Sequence, residues 1–195
     1  HQLKMLKTIV SSQWLNQNSG DSNLIILDAS QKGNKSGLTT DFENFQIKGA
    51  KPFDIKKDFS DQSSEFPNTL LSPQDFEMAC RNLGINKRSK IVVYDNLGVY
   101  TSPRVWWMLK TMGHDAVAVL DGGLPDWVKC GFETEHIQVN KTDKGDFVVN
   151  FQSQKVVDFD FVKKNISNQM PLLKYFHLLV AHGKLSFYLR SFPYL

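Results

Sequence analysis

The stretch IVVYDNLGVYTSPRVWWMLKTMG, residues 91–113, decides how this chain is read. It opens on a compact apolar run, the pattern of a strand buried on both faces. Ser102-Pro103 then predicts a helix start, with serine at the N-cap and proline at the first helical position, and Gly113 predicts its end. The residues between them form a short loop containing Gly98. A helix that opens against a loop directs free N–H groups and a positive dipole end toward it. Such a loop presents a nucleophile or cradles an anion. A thiolate directly after the strand would have a lowered pKa there, but the residue in that place is Asp95. An aspartate is also an anion and accepts the same hydrogen bonds. The candidate binding site is therefore Asp95, Asn96, Leu97, Gly98, Val99 and Tyr100, with Arg104 in the following helix. Within it Asp95 reads as a structural occupant of the cradle rather than as a catalytic carboxylate.

Working outward, LIILD (24–28) and AVAVLD (116–121) are two more buried strands of the same kind. Ser72-Pro73 repeats the helix-start signal, and Phe76, Ala79, Cys80 and Leu83 share one face of the helix it opens. Gly84 is placed as its left-handed C-cap, with Ile85 making the accompanying apolar contact. Ser11 and Ser12 can cap a first short helix, and Gly122-Gly123 leads into another that holds Trp127 and stops near Gly131. Residues 29–49 read as a long loop, and KGAKPFDI (48–55) as a turn into a short strand. Apolar strands alternating with helices predict an α/β fold: a central, mainly parallel sheet with helices on both faces. Beyond about residue 135, NKTDKGD is a linker by composition. FVVNF (147–151) reads as one more strand, and Asp158 as the cap of a helix with Phe161, Val162 and Ile166. From Met170 the chain is rich in Leu, Phe and Tyr and fits neither helical nor strand period.

Composition narrows the function classes. The 195 residues carry a net charge of only +3, with acids and bases interspersed, so no basic stripe for nucleic acid stands out. No apolar run is long enough to span a bilayer, and HQLKMLKTIV lacks the apolar core and cleavage site of a signal peptide. Two cysteines, Cys80 and Cys130, make no disulfide framework and suit a reducing compartment, so a cytoplasmic location is expected. Cys80 lies on an apolar helix face and Cys130 near a helix end, and neither is placed as a nucleophile. His114 and His136 fall in predicted loops without metal-pair spacing. Three strands end in aspartate, at Asp28, Asp95 and Asp121. Carboxylates at the carboxyl ends of parallel strands can hold Mg²⁺ for phosphoryl transfer, which is one alternative function. The structural alternative is that each caps a turn. An anion- or protein-binding module is the other functional alternative, and no cofactor is called for.

The set DAS (28–30), KGAKPFDI (48–55), YTSPRVWW (100–107) and LDGGLPDW (120–127), in that order, resembles the rhodanese family. In particular it is similar to the N-terminal domain of the tandem thiosulfate and 3-mercaptopyruvate sulfurtransferases. The resemblance implies a three-layer rhodanese-like fold over residues 8–135. In the family a second domain carries a cysteine at the start of the loop after its central strand, which accepts sulfane sulfur as a persulfide. The first domain normally has aspartate at that point, and Asp95 fits this inactive pattern. Asp54 matches the aspartate of the family's FDI motif, which faces the active site across the domain interface. This implies a helper role toward another domain, so no catalytic residue is expected within the chain itself. Gln46, Lys48 and Asn68 depart from the family, which usually has histidine near the turn and before the second helix. Residues 136–168 resemble the linker and the start of a second, truncated domain. Residues 169–195 read as a non-family continuation, such as a change of reading frame would produce. The implied partners are a small anionic sulfur compound or the second rhodanese domain, with self-association through the C-terminal tail.

Overall fold

The computed structural model describes residues 6–33, 37–138 and 142–157. Five strands form a parallel sheet: β1 (Ile9–Val10), β2 (Leu24–Asp28), β4 (Lys51–Pro52), β5 (Lys90–Tyr94) and β6 (Val117–Leu120). Their spatial order is β1-β6-β5-β2-β4, and every neighbouring pair is parallel. The strand of the opening stretch, β5, is thus central, as its unbroken apolar run requires.

Alternation along the strands sorts the core into two layers. On one face Ile25, Leu27, Ile91, Val93 and Val117 pack with Phe76 and Cys80 of α2 (Pro73–Asn82) and Val105, Met108 and Leu109 of α3 (Ser102–Thr111). On the other face Ile26, Val92, Tyr94, Ala118 and Leu120 pack with Leu15 of α1 (Ser12–Asn18) and Leu124 and Trp127 of α4 (Gly123–Lys129). The result is the expected three-layer α/β arrangement.

Three helices end by the same device. Gly84, Gly113 and Gly131 each adopt positive φ, and each following residue donates its N–H to the carbonyl five residues back. These pairs are Ile85 to Cys80, His114 to Leu109 and Phe132 to Trp127, the bonds of a Schellman cap.

The structure corrects several expectations. The stretch read as a long loop contains β3 (Phe45–Ile47), which pairs antiparallel with β7 (Thr134–His136) in a separate two-stranded sheet. His136 therefore lies in a strand, its ring stacked on Phe45 with centroids 4.8 Å apart. Residues 147–151 do not form the predicted strand. They run as an extended strap whose N–H groups bond helix ends and connections: Phe147 to the Ile85 carbonyl, Asn150 to Met112 and Gln152 to Thr111. Helix ends leave carbonyls unpaired, and the strap satisfies those of Thr111 and Met112 at the end of α3. The helix read after Asp158 and the aromatic tail lie outside the described residues.

Candidate functional site

Asp95 directly follows β5, at the carboxyl edge of the sheet, and is only 1% exposed. Its Oδ2 accepts hydrogen bonds from the backbone N–H groups of Tyr100 (2.8 Å), Thr101 (3.0 Å) and Ser102 (2.9 Å), and from the Ser102 hydroxyl (2.7 Å). Its Oδ1 accepts from the Leu97 N–H at 3.1 Å. Five donors thus converge on one carboxylate, four of them from the loop's end and the first residue of α3. The loop and the start of α3 thus form a ring of donors, and Asp95 itself fills it.

This arrangement alters the start of α3. Ser102 is the first helical residue rather than the N-cap expected from the sequence, and Thr101 holds the cap position without a side-chain cap bond. The Ser102 hydroxyl donates to the Asp95 carboxylate instead. A charge-assisted bond to a buried carboxylate is roughly twice as strong as a neutral one, which favours this partner.

The cradle is held from two sides. On one, the turn after β2 reaches across: the Thr101 hydroxyl donates to the Ala29 carbonyl at 2.6 Å, and the Asn96 N–H donates to the Ser30 hydroxyl at 3.0 Å. On the other, the Leu124 N–H donates to the Asp95 carbonyl at 3.0 Å. Gly123 makes this approach possible. A Cβ there would lie 2.2 Å from the Gly98 carbonyl oxygen and 2.5 Å from that of Asp95, and its φ is +57°.

Beneath the loop lies a second buried carboxylate. Asp28 accepts the Ser30 N–H at 2.9 Å and the Tyr94 hydroxyl at 2.8 Å. Tyr94, fully buried, in turn accepts the Ile47 N–H at 3.0 Å. Burial pushes the Asp28 carboxyl above its ordinary range, the nearby Asp95 charge adds to the shift, and hydrogen bonding from Ser30 and Tyr94 opposes it. Burial likewise raises the Tyr94 phenol.

The remaining candidates scatter. Leu97 is half-buried, while Val99 and Tyr100 are exposed at the lip of the loop. Asn96 is buried, and Gly98 forms an antiparallel bridge back to Asp95. Arg104 is half-buried, its guanidinium bonded to the Asn68 carbonyl, and burial lowers it to about 10. Asp54 caps its own turn by accepting the N–H groups of Lys56 and Lys57. Asp121 is exposed. Among the described residues no group of three His, Cys, Asp or Glu side chains is placed to hold a metal ion. Cys80 is fully buried, with its thiol pushed well upward by desolvation. Cys130 is half-buried at the end of α4, 3.4 Å from the Gln13 amide nitrogen. A surface pocket of about 350 Å³ opens between Lys32, Glu43, Asn44, His136 and Ile137, none of which belongs to the cradle.

Sequence reading located the loop and its aspartate but missed Ser30, Thr101, Tyr94 and Gly123 as its supports. Ser30 and Gly123 do stand in the DAS and DGG motifs, although neither motif states which loop it meets.

Residues 11–130 match the rhodanese-like domain. This chain belongs to the rhodanese family. Among similar proteins, thiosulfate/3-mercaptopyruvate sulfurtransferase 2 of Arabidopsis thaliana is 37% identical over 129 residues, covering 65% of this chain and 37% of that protein. The 3-mercaptopyruvate sulfurtransferase of Escherichia coli K12 is 34% identical over 151 residues, covering 76% of this chain and 53% of that protein. The crystal structure of SseA from Escherichia coli, a 3-mercaptopyruvate sulfotransferase, superposes with a TM-score of 0.73 at 29% identity, covering 87% of this chain and 68% of that one. The rhodanese domain seen here thus spans between about a third and about half of the curated relatives it matches. Among the described residues no helix is long and apolar enough to cross a membrane.

Proposed function

We propose that this rhodanese domain is the non-catalytic, N-terminal-type copy of a tandem sulfurtransferase, inactive in sulfur transfer on its own. One observation carries the reading: the Asp95 carboxylate occupies the cradle and takes all five of its donors. Sulfur transfer from thiosulfate needs a thiolate to attack the sulfane sulfur. The new S–S bond forms as the old one breaks, and sulfite leaves with the electron pair. A carboxylate cannot hold sulfane sulfur in this way, and neither Cys80 nor Cys130 stands in the cradle. The chain's partner is then a catalytic rhodanese domain, docked where the exposed Val99 and Tyr100 project at the carboxyl edge of the sheet. Asp54, half-buried beyond β4, serves as its helper across that interface. The free thiols support the cytoplasmic location expected from composition, and cell fractionation tests it.

A thiosulfate-to-cyanide assay on the full chain tests the reading. The expected outcome is no thiocyanate above the uncatalysed rate. Thiocyanate formed by the unsubstituted chain above that rate would overturn it. An anion-binding module is the less favoured reading, because the cradle already contains its anion.

A further inference from the structure

We infer that the corner Asp28-Ala29-Ser30 is a clasp that positions the cradle loop, with the Ser30 and Thr101 hydroxyls as positioning groups for whatever side chain stands at position 95. The inference rests on reading that loop as a rhodanese cradle.

The geometry is specific. The clasp touches the loop at both of its ends. Ser30 Oγ accepts the N–H of Asn96, the residue after Asp95, and the Ala29 carbonyl accepts the hydroxyl of Thr101, whose own N–H faces the carboxylate. The clasp is itself fixed by one bond within it and by two ties to its surroundings. The Ala29 N–H donates to the Tyr94 carbonyl at 2.8 Å, the Ser30 N–H donates to Asp28 Oδ1, and Asp28 Oδ2 is tied through the Tyr94 hydroxyl to the Ile47 N–H of β3.

Topology explains the location. The chain leaves β2 toward β4 on one side of the sheet and leaves β5 toward β6 on the other. The crevice between β2 and β5 is the point where the winding reverses, and their two outgoing loops part there. Loops that part leave backbone groups unpaired unless something bridges them. Here the bridge consists of two short side chains, from Ser30 and Thr101. Neither touches the Asp95 carboxylate with its side chain, so their effect on the site runs through the loop backbone.

An introduced thiol reports on this directly. In the full chain carrying Asp95→Cys and Cys130→Ser, the midpoint of the pH dependence of iodoacetamide alkylation reads the thiol pKa, and the converging N–H groups depress it. Adding Ser30→Ala, or separately Thr101→Val, should raise that midpoint by about one unit, which is about a tenfold loss of thiolate on the acid side of the midpoint. Thr101→Ser, which keeps the hydroxyl, should restore it. If one loss variant does not fold, the other still reads the clasp. A midpoint unmoved in every folded loss variant would overturn the inference, even if melting temperatures fall, because a merely structural role lowers stability without moving the thiol. Failure of the non-catalytic reading is a separate result: it is thiocyanate formation by the unsubstituted chain.

Discussion

At the scale of single residues, Asp95 has a consequence that the sequence motif alone would not assign to it. It is the keystone of its loop, because five donors point at it from within the protein. Asp95→Ala leaves those buried N–H groups without an acceptor, and each such group costs about 1–3 kcal/mol. The expected loss is about 3 kcal/mol or more, read as a lower urea midpoint. A loss under about 1 kcal/mol would mean that water replaces the carboxylate. Asp28 makes stability depend on pH. Its folded-state pKa is raised above the ordinary 3.8, chiefly by burial. The folded protein therefore binds this proton more tightly than the unfolded chain does. The stabilisation is fully present below about 3.8 and is lost as pH rises through the raised folded value. Stability of the wild type relative to Asp28→Asn should accordingly fall as pH rises from about 4 toward neutrality, measured by urea unfolding at each pH. A difference that does not change with pH, or grows, would show that Asp28 is not held in the way described.

At the scale of elements, legibility in the sequence tracked how local the causes are. Strands β2, β5 and β6 were readable because each is a short apolar run between turn residues, and the observed bounds differ from the reading by about one residue. Helix α2 was readable from Ser72 to Gly84, since its N-cap bond and Schellman cap involve residues within one turn of each end. Strands β3 and β7 were not readable. They are three residues each, and their pairing joins Gln46 to Glu135, a partnership that no local period encodes. The cap of α3 was misread for a related reason: the Ser102 hydroxyl found a stronger acceptor seven residues back at Asp95. The strap at 147–151 is apolar at all but Asn150, as a short strand is, but its backbone partners are helix ends and connections. Its anchor is Phe147, fully buried and packed beside Phe76 and His114. Phe147→Ala should cost about 3–5 kcal/mol, the range for truncating a buried phenylalanine. Thermal unfolding checks this. An unchanged melting temperature would mean that the strap lies outside the cooperative core.

At the scale of the whole molecule, the sheet order brings the loops after β2, β5 and β6 to one edge, and the candidate site is what those loops build there. The family was legible from four motifs, three of which mark the loops themselves: DAS is the clasp, the stretch after β5 is the cradle, and DGG is the buttress behind it. Their mutual contacts were not legible, because they span 66 residues from Ser30 to Asn96 and a further stretch to Gly123. The central claim is that this rhodanese fold keeps the cradle but holds a carboxylate where a sulfur carrier would stand. Mass spectrometry of the full chain after thiosulfate treatment, with peptide mapping, tests it most directly. The account predicts no cyanide-releasable sulfur on the unsubstituted protein, and one added sulfur mapped to position 95 in Asp95→Cys. Cyanide-releasable sulfur on the unsubstituted chain, taken up at a rate that changing Asp95 does not affect, would contradict it.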